Sequence, residues 1–232
     1  MTESARSAIA RFIALVAMIV VMAAFPAAAE NPGSRPAASA ELAAASRQAG
    51  KISNPQIHFL RGGFAGVFST GLDEMARQLA REGIRAQVSG WTSARSVTSK
   101  ITRAFKADNR AGPVILAGHS LGAGAVIDIA NHLTAKGIPV DLLIVFDTLG
   151  APPVPKGVRK FISFKASGNR KSAGRFHGAP GFDGRIINID IRTLPGLDDS
   201  THWNMVFKKD LQSRVMREIE NTLQVWKPGG RS

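Results

Sequence analysis

The sequence predicts an α/β fold: a mostly parallel sheet of about six strands with helices on both faces. Two observations carry this. Apolar runs of four to six residues alternate with helical patterns of about 10 to 20, the signature of βαβ units. Two runs, PVILA at 113–117 and DLLIVF at 141–146, are almost wholly apolar, as inner parallel strands covered on both faces are. The length of 232 residues and a hydrophobic share of 44% suit one packed domain with appendages.

The elements follow in order. Residues 57–61 (IHFLR) read as a strand leading into a glycine loop. A helix spans 72–81, with Leu72, Met75, Ala76, Leu79 and Ala80 on one face, and Gly83 ends it. Residues 86–89 make a short strand, and 96–106 a helix with Val97, Ile101 and Phe105 spaced by four. The strand at 113–117 precedes a helix at 121–135, and the strand at 141–146 precedes two more at 160–166 and 186–191. A long helix is expected over 203–223. In such a sheet ligands sit outside the carboxyl ends of the strands, which is where chemistry is to be sought.

The α/β domain is expected over 55–226. Before it, 1–29 has the pattern of a secretory signal peptide: Arg6 and Arg11, an apolar run at 12–25, and small residues Ala27, Ala28 and Ala29. That run is shorter than the roughly 20 residues of a spanning helix. An uncleaved anchor starting near Ala8 is the rival reading, and Pro26 with the alanines suits cleavage better. Cleavage implies a periplasmic or secreted protein. Residues 30–54, rich in Ala, Ser, Pro and Gly, read as a flexible linker, and 227–232 as a disordered tail.

Composition removes whole chemistries. With no cysteine there are no disulfides, thiolate metal sites or cysteine nucleophiles, and with no tyrosine there is no phenolic acid. The net charge of +13 falls to +12 once the leader, with two arginines and one glutamate, is cut. The basic residues are scattered, Arg170, Lys171 and Arg175 being the densest group, and no interleaved aromatic motif accompanies them. Nucleic acid is therefore not expected as a partner. Weak contact with an anionic membrane or envelope surface is compatible with the charge.

Directly after the 113–117 strand comes Gly118-His119-Ser120-Leu121-Gly122, a G-x-S-x-G between strand and helix. Alone, in a chain of 23 glycines, the pattern is weak; in this context it is specific. A serine on so sharp a turn needs neighbours without side chains, and Gly122 and Gly124 are expected to let the helix lie close to the sheet. The bland alternative is a serine that merely caps the helix.

On GHSLG and its setting the chain resembles the α/β-hydrolase superfamily, in particular its small lipase, esterase and thioesterase-like members, over roughly 57–223. The resemblance implies a nucleophile, an acid and a histidine in that order. Ser120 is then the nucleophile. Of five histidines, His202 follows the last strand, where the superfamily's base lies; His58, His119, His132 and His177 sit elsewhere. A metal reading of Asp198, Asp199 and His202 lacks a recognised ligand spacing.

For the acid, Asp147 closes the 141–146 strand, and Asp183 in a later loop is the competitor. The resemblance also implies an oxyanion hole from the amide of Leu121 and one in the loop Arg61-Gly62-Gly63-Phe64-Ala65-Gly66, with Gly63 and Phe64 both eligible. Where relatives often carry His-Gly, this chain has Arg-Gly. Trp91 and Trp203, with Phe64 and Phe68, are expected near the substrate pocket.

The reading that follows is an exported serine hydrolase cleaving small or lipid-like carboxylic esters through an acyl-enzyme, with no metal and no cofactor. The alternative is a non-catalytic envelope protein that holds anionic polymers or lipids on its basic surface.

Overall fold

The computed structural model describes residues 54–107, 112–166 and 174–226. The leader, all of the linker but Asn54, the tail, and Arg170 and Lys171 lie outside the described residues. Six strands form one open sheet: β1 (Gln56–Arg61), β2 (Ala86–Gly90), β3 (Val114–His119), β4 (Leu142–Phe146), β5 (Lys160–Lys165) and β6 (Arg185–Asp190), in the order β2-β1-β3-β4-β5-β6. Every neighbouring pair is parallel. The two most apolar strands, β3 and β4, take the centre and are buried throughout.

Alternation along the strands divides the core. Phe59, Ile115, Ala117, Ile144 and Phe146 point to one face, under α1 (Gly71–Arg81) and α4 (Lys209–Val225). Leu60, Leu116, Leu143 and Val145 point to the other, under α2 (Ala94–Ala107) and α3 (Leu121–Thr134). Each helix hides one apolar stripe: Leu72, Met75, Ala76 and Leu79 are the buried side of α1.

At the amino ends of the strands, the Asp141 carboxylate accepts the Val114 amide at 2.9 Å and the Arg159 guanidinium at 2.7 Å. Burial pushes this carboxyl's pKa up, and the two donors oppose that shift. The contact ties β3, β4 and β5 together at the edge opposite Ser120.

One expectation fails. The last helix begins at Lys209, not at Trp203. The Thr201 amide bonds the Asn204 side chain at 2.7 Å, Met205–Phe207 forms a separate 3-10 turn, and Lys208 is extended at φ −67°, ψ 119°. A local side-chain turn competes with helix here, so Trp203 belongs to the loop that carries His202.

Candidate active site

The site is assembled at the carboxyl ends of β3, β4 and the segment after β6. Ser120 sits between β3 and α3 with φ 57° and ψ −120°, a conformation costly for a residue with a side chain. Its neighbours make room. A methyl on Gly118 would lie 2.2 Å from the Gly122 carbonyl oxygen, and one on Gly122 would lie 2.1 Å from the Leu60 carbonyl oxygen. The expectation for Gly122 holds; that for Gly124 does not, since a side chain there would meet nothing within 4 Å.

Asp147 follows β4 at φ 44° and is fully buried. Its amide donates to the Phe164 carbonyl at 2.8 Å, and the Ala166 amide donates to its Oδ1 at 3.3 Å. Its Oδ2 stands 2.7 Å from Nδ1 of His202, whose Nε2 stands 3.1 Å from the Ser120 hydroxyl. An ionised carboxylate can only accept, so Nδ1 carries the proton and Nε2 is free to accept from the serine. Three residues from three separate loops thus form one hydrogen-bonded line. Asp183 is exposed in its turn and takes no part.

His119, inside the motif, has a different place. Its Nε2 lies 3.0 Å from the His202 carbonyl oxygen and its Nδ1 lies 2.9 Å from the Ser69 hydroxyl. A carbonyl only accepts, so Nε2 bears the hydrogen and Nδ1 accepts from Ser69. The Ser69 oxygen in turn accepts the Gly62 amide at 3.0 Å. Burial, then the nearby His202, lowers the His119 pKa from 6.5 to about 4, so the ring is neutral near pH 7. A buried neutral imidazole therefore clamps the first loop to the backbone of His202. From the sequence this histidine is legible only as not the base. His58 is buried in β1, while His132 and His177 lie on the surface.

The Gly62 amide is spent on Ser69, whereas the amides of Gly63, Phe64 and Leu121 have no acceptor among the described residues. All three residues border the recess at Ser120. Phe64 holds φ 51°, and the Arg61 side chain packs beneath Gly66 and approaches Asp73 at 3.9 Å. Phe68 and Trp203 meet edge to face at 4.7 Å, with Phe64 6.2 Å from Trp203. Trp91 is not with them. It follows β2, the sheet's edge strand two places from β3, and borders neither recess at Ser120. Asp198, Asp199 and His202 do not converge: Asp199 pairs with Lys208, and His202 faces Asp147.

A family model described as Thioesterase domain matches residues 64–154, a stretch that contains Ser120, Leu121 and Asp147. No curated protein sequence matches the chain. Among solved structures, the type II thioesterase BorB of the borrelidin cluster is 14% identical, with 74% of this chain and 92% of that chain covered and a TM-score of 0.48. For the NocB thioesterase domain of the nocardicin cluster the values are 14%, 75%, 96% and 0.44. For human thioesterase 2 they are 11%, 73%, 97% and 0.44. With the open parallel sheet, the strained serine turn and the family match, the protein is an α/β-hydrolase-type serine hydrolase. Within that class it is of the esterase and thioesterase kind, acting on ester or thioester bonds.

Proposed function

We propose that the protein is an exported carboxylic-ester hydrolase in which Ser120, His202 and Asp147 act as nucleophile, base and orienting acid. The carrying observation is the line from Asp147 through His202 to Ser120, with contacts of 2.7 and 3.1 Å. The Ser120 oxygen attacks the carbonyl carbon while its proton passes to Nε2 of His202. Asp147, buried and fixed by backbone bonds, stabilises the imidazolium that results. The Leu121 amide and that of Gly63 or Phe64 receive the developing oxyanion, at the start of a 14-residue helix. Collapse breaks the bond to the leaving oxygen, which takes the proton from Nε2. Water then repeats the two steps on the acyl-enzyme and releases the acid. No metal or organic cofactor is needed for this sequence.

Export is inferred from the leader pattern at 1–29, and it favours carboxylic esters over the thioesters of cytoplasmic carriers. The decisive experiment combines fluorophosphonate labelling with p-nitrophenyl butyrate turnover. Wild type should label and hydrolyse; Ser120→Ala should do neither, with melting unchanged. Turnover by Ser120→Ala within tenfold of wild type would remove Ser120 as the nucleophile.

A further inference from the structure

Two recesses meet at Ser120, and they differ in kind. One, of about 220 Å³, is walled by Phe64, Phe68 and Trp203 and contains His202. The other, of about 230 Å³, runs between α3 and the 148–152 loop, past Gly124 and Ile127 to Asp128. Ser120, Leu121 and Leu149 belong to both, so the half-exposed Leu121 and Leu149 form the ridge between them. Each is below the roughly 300–1,000 Å³ of ordinary ligand pockets, and together they fall within it.

We propose that these recesses hold the two halves of the ester separately, with the acyl chain along the Gly124 groove and the leaving group among the aromatic rings. The assignment rests on the reading of Ser120 and His202 given above. The tetrahedral carbon carries the serine oxygen, the oxyanion, the acyl chain and the leaving oxygen. The leaving oxygen must receive its proton from Nε2 of His202. His202 borders only the aromatic recess of the two, and so do Gly63 and Phe64, whose amides are eligible for the oxyanion. The acyl chain is left with the other direction, along α3.

Gly124 gives this groove its floor. A glycine inside a helix costs about 0.5–1 kcal/mol relative to alanine, and here no packing contact requires it, because an added methyl would meet nothing within 4 Å. What a side chain would enter is the groove itself. Leu121, Gly124 and Asp128 follow one another on one face of α3 at helical spacing. Asp128, eight residues past Ser120, lies about 12 Å along the axis at 1.5 Å per residue. At the roughly 1.2 Å per bond of an extended chain, that is about ten bonds; about three of them join the Ser120 Cα to the acyl carbon, which leaves room for an unbranched acyl group of about eight carbons. Among the described residues Asp128 is the only charged one bordering the groove, and its carboxylate disfavours acyl chains that end in an anion. The substrate class is thus a medium-chain, non-anionic acyl ester with an apolar or aromatic alcohol.

The test compares two ester series on wild type, Gly124→Leu, Gly124→Ala, Phe68→Ala and Trp91→Ala. One series is p-nitrophenyl acetate to decanoate; the other is acetate esters of ethyl, phenyl and naphthyl alcohols. Gly124→Leu should lower the octanoate-to-acetate ratio of kcat/KM tenfold or more, with Gly124→Ala intermediate. Phe68→Ala should lower the naphthyl-to-ethyl ratio instead, and Trp91→Ala should change neither. If Gly124→Leu alters the alcohol series, or leaves the acyl series flat, the assignment of the recesses is wrong. Fluorophosphonate labelling of each variant separates the two failures. Labelling with an unmoved chain-length profile overturns the subsites alone, whereas absence of labelling in wild type overturns the nucleophile and this proposal with it.

Discussion

Two glycines in the first turn of α3 should respond to alanine with opposite signs. At Gly122 the new methyl would stand 2.1 Å from the Leu60 carbonyl oxygen, against an ordinary contact of 3.4 Å or more. Neither side is a flexible side chain, so α3 and β1 must separate by the difference, about 1.3 Å, an overpacking worth roughly 3 kcal/mol. For a domain of this size that lowers Tm by about 6–12 °C, at 2–4 °C per kcal/mol. Ser120 lies two residues away on the same turn, and a displacement near 1 Å costs about 10²-fold in rate. At Gly124, alanine finds open space and removes the helical penalty of glycine, adding about 0.5–1 kcal/mol and roughly 1–4 °C. Thermal melts and urea titrations of both variants, with p-nitrophenyl acetate turnover, measure the contrast. If Gly122→Ala melts and turns over like wild type, or if both variants shift in the same direction, the close approach of α3 to β1 is not what requires Gly122.

Asp147→Asn should lower kcat by roughly 10⁴ with little change in KM, whereas Asp183→Asn, altering an exposed turn, should match wild type; steady-state kinetics on both folded variants decides between them. His119→Phe keeps an aromatic ring but leaves the Ser69 hydroxyl proton and the His202 carbonyl without their partner, while Ser69 still accepts the Gly62 amide. At about 1–3 kcal/mol for each unpaired group, Tm should drop, and kcat should fall more than tenfold while KM stays within about threefold. Wild-type kcat in that variant would show that the clamp does not position His202. Acid should destabilise the fold through His58 and His119, whose pKa values burial lowers from 6.5 to about 4. The unfolded chain binds the extra protons, so their contribution is complete above pH 6.5 and is lost as pH falls toward 4, on the order of 3 kcal/mol for each. Urea titrations between pH 7.5 and 4.5 should track that loss, and a flat profile would contradict it.

Much of the architecture was legible because it is written in short-range patterns. Apolar runs marked β3 and β4, and their lack of any polar face placed them at the centre. G-x-S-x-G between strand and helix located the turn at Ser120, since only glycines fit where Gly118 and Gly122 touch backbone. The meeting of Ser120, His202 and Asp147 needed the resemblance as well, because nothing local joins residues 82 and 55 positions apart. Besides the open surroundings of Gly124, three features escaped. The start of α4 depended on the Asn204 side chain capturing the Thr201 amide, which outweighs apolar spacing. Trp91 leaves its strand at the same end of the sheet as Ser120, but strand order sends β2 to the edge, and Trp91 borders neither recess. The role of His119 depends on Ser69 and a distant carbonyl, partners that periodicity cannot reveal; a histidine next to the serine was the only available signal.

The main-chain bonds beneath the site have a consequence for how the gene can change. The Ser120 amide is held by the Phe146 carbonyl, and the Asp147 amide by the Phe164 carbonyl. Each strand end is stitched by its backbone to the following strand, with side chains uninvolved. Replacement of one apolar side chain by another in β4 or β5 leaves the stitches in place. Removal of a single codon slides one rung past the next and carries a reacting group away from its partner. Apart from Asp147 itself, the site should therefore tolerate wide drift in letters and almost none in count across residues 142–146 and 160–166.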